Sequence, residues 1–255
     1  MPSQGTSQGD GSWVLGAPGE ERSGRDHRTL AEKAFISIHD AILTGRLRPG
    51  ERIPIEELAS ALDMSPMPVR EAVRQLDGLG LVENVPHKGA RITELSIEDL
   101  REIYEARLSL EPLAIYRAAE RFAEEDGERA RTSLALMKVR RPGTVSSWPA
   151  HSAFHLDLYR AAGSSWLMRL IQPLWESSER YRLALSPKRV AARSQEHERV
   201  LQACVDHDAP RAAFELHNHL VLTANSLARS LDHDALFVPL EGDLWAPGFT
   251  AAAWR

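Results

Sequence analysis

From Ser96 to about Leu236 the apolar residues of this chain recur only at helical spacing, which rules out most architectures for that stretch. The pattern breaks near Asp126, at Pro142-Gly143, at Gly163, at Ser186-Pro187 and at Asp208-Pro210. These breaks divide it into about six helices with no convincing strand. Ser96-Ile97-Glu98-Asp99 opens the stretch as an acidic variant of the capping box. The expectation is an all-α helical bundle over residues 96–236.

The preceding residues read differently. Leu30, Ala34, Ile38, Ala41 and Ile42 form a helical stripe that ends at Gly45 and Pro49-Gly50. A short second helix runs from Ile55 to Leu62, and Asp63-Met64-Ser65 follows as a tight turn. A third helix is expected to start at Ser65, whose hydroxyl can cap free N–H groups, with Pro66 and Pro68 in the first turn where proline costs little. Val69, Ala72, Val73, Leu76 and Leu79 face inward. Leu81 to Val85 and Ala90 to Thr93 read as two short strands, and the loop at Pro86-His87-Lys88-Gly89 is a candidate wing. The whole chain is thus expected to be mostly α, with an N-terminal winged helix-turn-helix at 28–95 followed by the helical bundle. Residues 1–27, rich in Gly, Ser and Pro, are expected to be a disordered tail and not a signal peptide, and residues 237–255 a C-terminal tail.

At 255 residues the chain suits two domains, and 43% hydrophobic with 26% charged residues is ordinary globular composition. No run approaches a membrane-spanning length, and Cys204 is the only cysteine, which fits a reducing cytoplasm. The formal net charge of −5 argues against bulk electrostatic coating of nucleic acid. From Arg28 to Glu94 nine Lys and Arg face ten Asp and Glu, so few phosphate contacts are available per subunit. Useful DNA affinity should then need a homodimer on a short inverted repeat of operator DNA.

Helix-turn-helix proteins insert the start of the second helix of the motif into the major groove. The candidate helix Ser65-Pro66-Met67-Pro68-Val69-Arg70-Glu71-Ala72-Val73-Arg74 presents a dipole-positive N-terminus and an arginine one turn in. Ser65, Met67, Arg70, Arg74, Lys88 and Gly89 are the candidate DNA-binding residues. Residues 34 to 93 resemble the DNA-binding domain of the GntR family. The resemblance rests on Ala41-Ile42-Leu43-Thr44-Gly45-Arg46-Leu47-Arg48-Pro49-Gly50, Leu58-Ala59, Pro68-Val69-Arg70-Glu71-Ala72-Val73-Arg74-Gln75-Leu76, Gly80-Leu81-Val82 and Lys88-Gly89-Ala90. It implies that Arg70 contacts operator bases or phosphates, that Ser65 caps and touches phosphate, and that Lys88-Gly89 enters the minor groove. Two departures stand out: Pro66 where many relatives carry arginine, and Glu56 near the place of an arginine often found in the second helix.

Among the ten histidines, His151 and His155 lie one helical turn apart, while His197 and His219 fall on later helices. Facing helices of a bundle can bring such residues to one point. Tyr104-Glu105-Ala106-Arg107 with Glu111, Phe154-His155, Glu196-His197, Asp208, Ala212 and His219 resemble the FCD domain, the helical effector-binding partner of one branch of the GntR family. That resemblance covers roughly residues 96 to 232. It implies that His155, His197 and His219 are metal ligands, with His151 where the family usually has an aspartate. Four nitrogen donors favour a divalent transition metal, zinc or nickel first and copper after them, over magnesium or calcium. His217 projects about 200° from His219 around the helix axis and is a poor substitute. Arg107 is expected to grip a small carboxylate effector, with Arg180 or Arg182 as a second grip unless that helix face is simply solvated beside Glu176 and Glu179. A metal-dependent enzyme built on the histidines and a regulator with a degenerate effector site remain as alternatives. Against the first, His151-Ser152-Ala153-Phe154-His155 lacks the glutamate of the zinc-protease motif.

Overall fold

The computed structural model describes residues 29–85, 89–139, 148–185 and 194–242. Helices α1 (Leu30–Leu43), α2 (Ile55–Ala61) and α3 (Pro66–Gly78) are followed by the antiparallel pair β1 (Val82–Val85) and β2 (Gly89–Ile92). Ile38, Leu58, Val69, Ala72, Leu76, Leu81 and Ile92 close a small core among them. Thr29 and Glu32 form a reciprocal capping box at the start of α1.

At α3 the expected cap does not form: Ser65 sits at the N-cap in extended backbone, but its hydroxyl makes no capping hydrogen bond. A capping oxygen takes the N–H of the second or third helical residue, and the third is Pro68, which has none. Proline therefore pre-shapes this turn while removing a donor the serine would have used.

Six further helices follow: α4 (Ile97–Ala119), α5 (Glu124–Val139), α6 (Trp148–Arg160), α7 (Ser165–Leu185), α8 (Ser194–Val205) and α9 (Ala209–Ser230). The break expected near Asp126 falls earlier, between Ala119 and Glu124. Asp126 instead lies in the first turn of α5 and accepts the Ala123 N–H at 2.9 Å, as an acidic residue does at a helix start. Helix α4 packs against α7 and α9, and Tyr104, Leu108, Phe154, Trp175, Leu216 and Leu220 belong to the second core.

Phe237, expected to open the tail, is part of that core. Asn225 on α9 donates to the Phe237 carbonyl at 2.8 Å and accepts the N–H groups of Leu236 and Phe237. Asn218 does the same for Leu240, so the segment after α9 is pegged along it.

The two cores meet at α7. Ser177 Oγ donates to the Leu79 carbonyl at 2.6 Å, and Arg180 Nη1 donates to the Thr93 carbonyl at 3.1 Å. Arg180 Nη2 pairs with Asp99. The capping box expected at 96–99 is therefore half formed: Ser96 Oγ takes the Asp99 N–H, but the Asp99 carboxylate turns to Arg180 and the Tyr181 hydroxyl. Among the described residues no helix is long and apolar enough to cross a membrane.

Candidate functional site

Two arrangements carry chemistry. The first is the exposed face of α3. Met67, Arg70 and Arg74, spaced by three and four residues, share that face, and all three are exposed together with Ser65 at its N-cap. With no capping bond to the Ser65 hydroxyl, the hydroxyl and the N–H of Met67, which has no acceptor within the helix, both stay open to an anion. Arg70 Nη2 donates to Glu56 Oε1 of α2 at 3.0 Å. Gly89 opens β2 at φ +81°, the left-handed conformation that turns the chain back into the wing. Lys88 lies outside the described residues.

The second arrangement lies inside the bundle. Helix α6 supplies His151 and His155, α8 supplies His197 and α9 supplies His219. One ring nitrogen from each lies within 4.8 Å of all the others. His155 Nε2 and His197 Nε2 are 3.2 Å apart. Two ligands at Zn–N distances of 2.0–2.1 Å in a tetrahedron would be about 3.3 Å apart. All four rings are at least nine-tenths buried. Burial first, then the neighbouring histidines and arginines, holds the pKa of His151 and of His155 well below the usual imidazole value. Neutral imidazole is the form that binds a metal.

Outer partners orient the rings. Glu196 Oε2 stands 2.8 Å from His219 Nδ1, so that nitrogen carries the proton and Nε2 faces the centre. The Tyr159 hydroxyl donates to Glu111 Oε2 at 2.6 Å and is therefore left to accept from His155 Nδ1 at 3.2 Å. That again leaves Nε2 as the inward lone pair. His151 Nδ1 lies 3.5 Å from Glu179 Oε1. The position that carries a ligating aspartate in the resembled pattern thus holds a neutral ring, with an anionic carboxylate behind it. Donor type, spacing, tautomers and burial all fit a four-coordinate transition metal.

Buried arginines rim this centre. Arg107 Nε donates to Glu111 Oε1 at 2.5 Å, and its Nη1 donates to Ser178 Oγ at 2.7 Å. Burial opposes the charge on Arg107, but the pull of Glu111 outweighs it and its pKa stays above the ordinary value. Arg182 is locked to Glu179 by bonds of 2.6 to 2.9 Å, and its Nη1 is buried with no hydrogen-bond partner among the described residues. The cavity bounded by Arg107, Arg182, Glu179 and the four histidines has a volume of about 20 Å³.

The structure brings His151, His155, His197, His219 and Arg107 together and leaves Arg180 out. Arg180 is on the opposite side of α7, about 200° from Arg182, with its guanidinium on Thr93 and Asp99. The solvated-face reading also fails, since Glu179, Arg180 and Arg182 are all buried. His207 turns to the Ala119 carbonyl at 2.9 Å, and His217 lies apart from the cluster. Sequence reasoning missed Tyr159 and Ser178. The first was readable, because 151, 155 and 159 repeat every four residues on one face of α6; nothing in the sequence marked Ser178.

Comparison with known proteins agrees with both arrangements. Residues 30–92 match the family described as "Bacterial regulatory proteins, gntR family", and residues 102–222 match the FCD domain. An HTH-type transcriptional regulator, BphR of Paraburkholderia xenovorans, is 30% identical over 76% of this chain and 83% of its own length. The HTH-type transcriptional repressor GlaR of Escherichia coli is 26% identical over 72% of this chain and 89% of its own. In fold, the chain is similar to E. coli McbR/YncC, with a TM-score of 0.70, 22% identity and coverage of 80% of this chain and 99% of that one. The chain belongs to the GntR family of transcriptional regulators, in the branch whose DNA-binding domain is joined to an FCD domain.

Proposed function

We propose that this regulator is a cytoplasmic homodimeric repressor that grips a short inverted-repeat operator through α3 and the wing and is released by a small carboxylate. Ser65, Met67, Arg70 and Arg74, with Lys88 and Gly89 of the wing, make the DNA contacts. His151, His155, His197 and His219 hold zinc or nickel. Arg107 and Arg182 take the effector carboxylate. The observation that carries the reading is the convergence of four oriented imidazoles beside the Arg182 Nη1, which has no partner of its own. When bound, the metal supplies a fixed positive charge that draws an anion to the rim arginines. Four imidazoles complete a closed coordination shell, which favours a sensor over a centre that activates water.

A second reading is favoured by the small cavity, which has room for an ion or a single water. There the metal is purely structural and no carboxylate enters. One experiment separates them: operator binding by fluorescence anisotropy, for zinc-loaded and chelator-stripped protein, with and without succinate and malonate. Weakening of operator binding by either acid, only in the zinc-loaded form and not in Arg107→Ala, supports the sensor. No acid effect alongside stoichiometric metal leaves the structural reading, and absence of metal binding refutes both.

A further inference from the structure

A second, larger cavity lies between the two domains, with a volume of about 460 Å³. This falls within the roughly 300–1,000 Å³ of ordinary small-molecule sites. Ile42 and Leu47 of the first domain, Ile92 at the end of β2, Leu95 of the connection and Leu183 of α7 form its apolar wall. Two polar groups face it. Arg180 is one, but its charge is already matched by Asp99 and its other donors go to the Thr93 and Ser177 carbonyls. The other is the Thr93 hydroxyl, whose oxygen is buried without a hydrogen-bond partner among the described residues. A buried hydroxyl left unsatisfied is destabilising unless something supplies the bond.

We infer that this cleft is a binding site for an uncharged, largely apolar small molecule carrying one hydroxyl or carbonyl, which bonds to Thr93 while its apolar body fills the space against Leu47 and Leu183. An anion is disfavoured, because the only cation facing the cleft is neutralised and Glu94 stands close by at Gly50. The chemistry is thus distinct from that of the histidine centre. Since the walls come from both domains, an occupant prefers one arrangement of them, and operator affinity responds to it.

The test uses the full-length protein with labelled Ile and Leu methyl groups, titrated with benzyl alcohol and 1-octanol, and with octanoate as the charged counterpart. The alcohols are expected to shift Ile42, Leu47, Leu95 and Leu183 and to leave Leu220, beside the histidines, unmoved. Thr93→Val, which removes only the unsatisfied hydroxyl and should fold normally, is expected to weaken alcohol binding about fivefold. Ala184→Trp, at an exposed position on the mouth, is expected to abolish it. Stripping the metal should change neither result, so this site stands or falls independently of the histidine centre. Three outcomes overturn the inference: no methyl shifts at saturating alcohol, octanoate binding as tightly as 1-octanol, or a change of oligomeric state in Ala184→Trp without alcohol binding. The last would make the cleft an interface between copies.

Discussion

Arg70 of α3 reaches across to Glu56 of α2 and donates a hydrogen bond at 3.0 Å, so the foremost base-reading arginine is held by an acid on the surface meant for DNA. Both side chains are more than half exposed, and such pairs contribute about 0–1 kcal/mol. Operator DNA can therefore take Arg70 from Glu56 at small cost, and Glu56 adds repulsion toward phosphate. Glu56→Gln is expected to tighten operator binding by up to about fivefold, most at low salt. Arg70→Ala should lose about 1–3 kcal/mol per half-site with melting temperature unchanged. Footprinting with both variants checks the pair, and a weaker Glu56→Gln would remove Arg70 from the interface.

Metal removal should be visible in stability. A ligand that binds only the folded state stabilises it by mass action, so a chelator should lower the melting temperature of the zinc-loaded protein. His155→Ala and His219→Ala should each lose metal, as measured by elemental analysis, while Arg107→Ala keeps it. Equal metal content in all three would sink the ligand assignment.

Tyr159→Phe probes the orientation of His155. The variant deletes the hydroxyl between Glu111 and His155 Nδ1 but keeps the ring that fills the core. Weakening of zinc affinity by about 10–100-fold is expected, as for other outer-shell partners. Competition with a zinc indicator measures it, and an unchanged affinity would show that the tyrosine only packs.

The metal-free protein should lose stability on acidification. His151 and His155 have folded-state pKa values below the ordinary 6.5, with burial the leading cause. Below pH 6.5 the unfolded chain therefore binds protons that the folded one refuses. Stability is fully present above that pH and falls as pH drops toward the folded-state values, by up to about 1.4 kcal/mol per pH unit for each histidine. Urea midpoints of metal-stripped protein between pH 7.5 and 5.5 should fall, and His155→Gln should flatten the slope. A flat profile in the unmutated chain would contradict the burial of neutral rings.

Much of this was legible because helical period and chemistry coincide. His151 and His155 declare a shared face, and the run from Pro68 to Leu76 declares a recognition helix. What stayed hidden is which face of α7 meets which neighbour. Arg180 and Arg182 are two residues apart, and only the packing sends one to Asp99 and the other to Glu179. Charged residues in sequence look solvated, so the buried Glu179–Arg182 pair could not be told from a surface pair. The missing Ser65 cap was readable after all, since Pro68 removes the N–H it would use. Phe237 was lost to the tail because its anchor is a side chain eleven and twelve residues back, Asn225, not a periodic pattern.

The adjacency of Ser177 and Ser178 has an evolutionary consequence. One serine is fastened to the DNA-binding domain at Leu79, and the next to Arg107 at the rim of the histidine centre. With both attachments on one turn of one helix, a lineage can rewrite 178, 179 and 182 to suit a new inducer while 177 and 180 go untouched. Specificity can drift without rebuilding the link to the promoter.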